Sequence, residues 1–115
     1  MNELEINERV ILINVNRLYR ENMTSDELYD ITRNYWRLNP ERASCANYVL
    51  SNYKGVVKEV YGVDGWEFAQ MVNGYKRYRF YGRVASPEIR RKYFGESVAH
   101  YRKKGSQNPI LYVNC

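Results

Sequence analysis

Hydrophobic and polar positions along the chain follow strand-like and helix-like spacings in turn. Arg9 to Val15 (RVILINV) is a nearly unbroken apolar, β-branched run, which predicts a buried strand closed by Asn14 and Asn16. Thr24-Ser25-Asp26-Glu27 has the form of a capping box, in which a threonine hydroxyl accepts from the amide three residues on and the glutamate reaches back. The acidic first turn suits the positive end of the helix dipole. Leu28, Ile31 and Tyr35 then share one face, so the pattern predicts a helix from about Ser25 to Arg33.

Tyr35 to Leu38 (YWRL) returns to extended character, and Asn39-Pro40 marks a second, brief helix with Asn as cap and Pro at its first position. Asn47 to Tyr53 and Val56 to Tyr61 read as two strands of a hairpin turning at Lys54-Gly55. Gly62 and Gly65 predict an irregular connection ending at Trp66. Lys76 to Val84 (KRYRFYGRV) has the clearest period of two. One face carries Tyr78, Phe80 and Val84, with Gly82 leaving a gap or bulge; the other carries Arg77, Arg79, Tyr81 and Arg83. Ser86-Pro87-Glu88 starts a helix that Gly95 stops. Lys103-Lys104-Gly105 opens a loop, and Ile110 to Val113 is a last strand. Five or six short strands with two or three short helices, without regular βαβ alternation, predict one α+β domain spanning residues 1–115. Its core is a small mixed sheet or a partly closed barrel.

Composition sharpens this picture in two places. Tyrosine accounts for 12 of the 115 residues, and it suits cores, interfaces and base-stacking surfaces alike. Charge is divided unevenly: residues 1–75 hold 8 Lys/Arg against 11 Asp/Glu, whereas residues 76–115 hold 10 against 2. That asymmetry favours an anionic partner for the C-terminal third, the alternative being an ordinary solvated face. No apolar run reaches the roughly 20 residues needed to span a bilayer, and the acidic N-terminus resembles no targeting peptide. Cys45 and Cys115 have no metal spacing and read as free thiols in a reducing cytoplasm.

Three constellations carry candidate chemistry. Alternate residues of a strand lie about 7 Å apart on one face, so Arg77, Arg79 and Arg83 form a row able to follow phosphates, with Tyr81 among them to stack a base. The competing reading is a solubilising face that protects a sheet edge. Trp66, beside glycines, is a better ligand wall than Trp36, although most tryptophans are partly buried core. The segment Lys103 to Pro109 offers Lys104 as a cation and Asn108 as a base-reading amide. Catalytic sets are lacking: His100 is the sole histidine, Cys45 has no evident base, and no HExxH, Walker or GxSxG motif occurs, so no cofactor or metal is implied.

Tyr35-Trp36-Arg37-Leu38, Arg42-Ala43, Tyr48-Val49-Leu50 and the run Gly55 to Tyr61 followed by Trp66 resemble small PUA-like domains of the EVE and ASCH kind. Arg79-Phe80-Tyr81-Gly82 and Gly105 to Pro109 fit the same pattern, which spans residues 35–113. The resemblance implies a compact β-barrel with flanking helices that binds RNA, DNA or a modified base in an aromatic cleft. By position it makes Trp36, Trp66 and Tyr81 stacking residues, Asn47 and Asn108 readers of a base edge, and Lys54 and Arg83 phosphate contacts. The N-terminal strand and the Thr24-capped helix depart from it. The leading expectation is a non-enzymatic module for nucleic acid or a modified nucleotide. The alternatives are a protein-interaction or homodimeric subunit of a prokaryotic defence-type system, and a small nuclease or base-modifying enzyme.

Overall fold

The computed structural model describes residues 3–102 and 108–115. Among them the chain forms β1 (Val10–Asn14), α1 (Ser25–Arg33), α2 (Pro40–Ala43), β2 (Tyr48–Tyr53), β3 (Val56–Val72), β4 (Tyr75–Val84), α3 (Pro87–Tyr93), a 3-10 turn (Ala99–Tyr101) and β5 (Ile110–Val113). The strands make one open mixed sheet in the order β4-β3-β2-β1-β5. Only β1 and β2 run parallel, joined by a crossover through α1 and α2. The α+β class and the mixed sheet match expectation; the sheet does not close into a barrel.

The central strands are apolar on both faces because both faces are covered. Ile11, Ile13, Val49 and Tyr61 point towards α1 and α2, and Ala43 of α2 is part of this core. Val10, Leu12, Leu50, Val57 and Val60 point the other way, beneath Tyr93 of α3, Val98 and Ile6 of the N-terminal segment. The unbroken hydrophobic run of β1 follows directly. Thr24 caps α1 as expected, its hydroxyl accepting from the Glu27 amide at 3.1 Å while the Glu27 carboxylate accepts from the Thr24 amide. The Asn39 side-chain oxygen caps α2 by accepting from the Glu41 and Arg42 amides. No helix among the described residues is long and apolar enough to cross a membrane.

One expectation is overturned. Residues 62–66 are not an irregular connection: β3 runs unbroken for 17 residues, from Val56 to Val72, and pairs with β4 along its second half. The glycines mark bulges and close approaches within this pairing. The register shifts between Val63 and Gly65 and again between Phe68 and Gln70, so Asp64 and Ala69 are extra residues on the β3 side. At the tip, Asn73 (φ 52°) and Gly74 (φ 84°) both adopt the left-handed backbone that a two-residue Asn-Gly hairpin turn requires. The result is a long β3–β4 hairpin whose first part belongs to the sheet and whose second part extends beyond it.

Candidate nucleic-acid interface

The outer edge of β4 is sealed by side chains and by one short stretch of backbone. Trp36 and Tyr78 exchange two backbone hydrogen bonds of 2.8 Å, the Arg33 guanidinium donates to the Phe80 carbonyl at 2.9 Å, and the Gly82 amide donates to the Tyr29 hydroxyl at 3.0 Å. Three successive outward-facing positions of an edge strand are thus satisfied, which blocks strand addition from another chain. The Trp36 bridge also widens the hairpin into a three-stranded platform.

The two faces of this platform differ. On the α1 side lie Phe80, wholly buried, with Tyr29, Tyr61 and Trp66 around it at ring distances of 5.8, 5.9 and 5.3 Å. Trp36 belongs to the same cluster, and its indole N–H donates to the Thr32 carbonyl at 2.7 Å. Both tryptophans therefore pack against the core, on the face opposite the arginine row. The Trp66 indole nitrogen is buried without a hydrogen-bond partner among the described residues.

The other face carries the row read from the alternation: Arg77, Arg79, Tyr81 and Arg83. Pairing adds residues that the sequence pattern did not single out. With Trp36 turned towards the core, its neighbours Tyr35 and Arg37 fall on the arginine side. The Arg37 guanidinium lies 3.6 Å from the centre of the Tyr75 ring, a close cation–π contact. Tyr35, Tyr75 and Tyr81 are 42, 49 and 46% exposed. Tyr81 leans across the ladder onto Gly65, where a Cβ would stand 2.6 Å from its hydroxyl oxygen, so glycine is what lets the ring lie there.

Charge on this face is partly balanced. Arg79 pairs with Glu67 at 3.0 Å and Arg83 with Asp64 at 3.7 Å. Arg37 and Arg77 have no ion-pair partner among the described residues, and the Arg77 Nε is buried without an acceptor. Other late cations are engaged elsewhere. Arg90 donates to Glu59 at 2.7 Å and stacks on Phe94; Lys92 binds Glu8 at 2.8 Å. These contacts raise the pKa of both cations above their ordinary values, chiefly through the carboxylate hydrogen bonds.

The remaining expected residues do not join this face. Lys54 sits in the β2–β3 turn, at the opposite end of β3 from the hairpin tip, with its ammonium 5.3 Å from the Tyr53 ring centre. Asn108 precedes β5, and its side-chain oxygen accepts from the Ile110 amide. It borders a cavity of about 250 Å³ at the carboxyl ends of β1 and β2, with Asn14, Asn52 and Tyr101. Asn47 is exposed before β2, and its backbone bonds Arg9 and Val63. Lys104 lies outside the described residues. A second cavity, of about 460 Å³, is bounded by Glu59, Val84, Arg90, Arg91 and Phe94.

No catalytic grouping emerges among the described residues. His100 donates from Nε2 to the Leu4 carbonyl oxygen at 2.7 Å, and the thiols of Cys45 and Cys115 are free. Among the described residues no three His, Cys, Asp or Glu side chains are placed to hold a metal ion. No family model, curated protein or solved structure matches the chain.

Proposed function

We propose that this protein is a nucleic-acid-binding module whose contact surface is the arginine and tyrosine face of the β3–β4 hairpin. The observation that carries the reading is the grouping of Arg37, Arg77, Arg79 and Arg83 with three exposed tyrosines on one uncovered sheet face. Guanidinium groups attract phosphates and bind them directionally, and their attraction falls with added salt. The support lies in this face itself, so the reading needs neither the tryptophans nor a PUA-like ancestry.

Fluorescence anisotropy with labelled oligonucleotides tests it. Binding should weaken as salt rises, and the double variant R37E/R77E should lose at least tenfold in affinity at low salt. Lys54→Glu, at the far end of β3, should change affinity less than twofold. Absent binding to every oligonucleotide form, or equal losses in the two variants, would refute the assignment of this face.

A further inference from the structure

We infer that the hairpin face takes single-stranded nucleic acid, with unpaired bases stacked on its tyrosines, and not a duplex. The inference rests on the function proposed above and specifies its ligand. Three observations carry it.

The first is the exposure of the rings. Tyr35, Tyr75 and Tyr81 are each more than two-fifths exposed on the same face as the arginines, and Tyr81 is held in place over Gly65. A duplex presents base edges and phosphates, whereas a single strand can turn its bases onto such rings. Tyr75 and Tyr81 are six residues apart on β4, a span of about 20 Å. This suits a footprint of roughly four nucleotides, at the small end for single-strand modules.

The second is width. A B-DNA major groove about 12 Å wide admits a two-stranded ribbon. Here the Trp36 bridge adds a third backbone beside β4, and strands spaced about 4.8 Å apart then exceed the groove once side chains are included. Helix α1, packed behind β4 through Tyr29 and Arg33, closes off insertion further.

The third is charge. Glu67 and Asp64 each engage an arginine of this face, leaving its Arg37 and Arg77 without an ion-pair partner among the described residues. Duplex-binding proteins that rely on the backbone commonly neutralise about 6–10 phosphates. Two to four contacts on a single strand instead give a shallow salt dependence, with a log–log slope between about −1.4 and −2.8.

The test compares ten-nucleotide oligothymidylate, oligouridylate, a duplex of equal length and an abasic strand of equal length. Both single strands should bind at least tenfold more tightly than the duplex and the abasic strand, and Tyr75→Ala/Tyr81→Ala should remove most of that preference while Tyr75→Phe/Tyr81→Phe retains it. The abasic comparison uses the unaltered protein, so it stands even if the alanine variant does not fold. Duplex or abasic binding as tight as the single strand would overturn this inference and leave the proposed function intact. Failure of all four ligands would remove both. Self-association abolished by Arg77→Glu, without oligonucleotide binding, would assign the face to a second copy of the chain and likewise overturn it.

Discussion

β3 is two strands in one, and its halves obey different rules. From Val56 to Tyr61 it lies between β2 and the α3 region, with Val57, Val60 and Tyr61 buried; from Asp64 to Val72 every residue is exposed or half-exposed. The first half is held by packing on both faces. The second is held by its ladder to β4, the Asn73-Gly74 turn and one covered face. The backbone is the same in both, so neighbours decide what the side chains do. Burial is concentrated in the body and the proposed ligand contacts lie in the arm, so the two can be disturbed separately.

The largest test lies at their junction. Phe80 is wholly buried amid Tyr29, Tyr61 and Trp66, so Phe80→Ala should cost about 3–5 kcal/mol by urea unfolding. Arg83→Gln, three residues along the same strand but on the open face with its side chain 81% exposed, should cost under about 0.5 kcal/mol. Equal losses would show that the arm is as much a part of the folding core as the body.

Gly82→Ala comes next. A Cβ there would collide with the Gly62 carbonyl, backbone against backbone at the bulge, so neither side can yield easily. The expected loss is about 1–3 kcal/mol, accompanied by weaker oligonucleotide binding because the arm is displaced. A smaller step isolates the tip. Gly74 has open space around it and φ +84°, so Gly74→Ala introduces backbone strain without a clash. About 1 kcal/mol is expected, with faster amide exchange in residues 70–77 and unchanged exchange in β1 and β2.

This division explains what could be read from the residues. β1, α1 and β5 have uniform spacing or explicit caps, and their bounds agree with expectation within a residue or two. The distal half of β3 hid because Asp64 and Ala69 each reverse the alternation, so no window from Gly62 to Val72 keeps a single period. Asn73-Gly74 was the available signal for the hairpin. Within the site, Arg77, Arg79, Tyr81 and Arg83 were legible because they share one regular strand. Tyr35, Arg37 and Tyr75 depend on which strands pair and in what register, which alternation within a segment does not specify. Trp66 stands out as a ring beside glycines; Gly65 makes room for the Tyr81 ring, whereas a Cβ at Gly62 would meet only the Arg83 carbonyl at 3.8 Å.

The smallest effect separates body from arm by pH. Glu8 accepts hydrogen bonds from Lys92 and from the Tyr93 hydroxyl, anchoring the N-terminal segment over the core. Lys92 first, then Tyr93, holds its carboxyl below the ordinary value of 4.5. A carboxylate with a lowered folded-state pKa stabilises the protein above its unfolded value, and that stabilisation disappears as pH falls through the folded one. Wild type should therefore lose about 1 kcal/mol more than Glu8→Gln as pH falls from 6 through the lowered folded-state value, measured by urea midpoints, with the two converging once Glu8 is protonated. Arg77→Gln, a charge change on the exposed arm away from Glu8, should follow the wild-type pH profile. A flattened profile in Arg77→Gln would place part of the acid sensitivity in the arm, contrary to the separation drawn from burial.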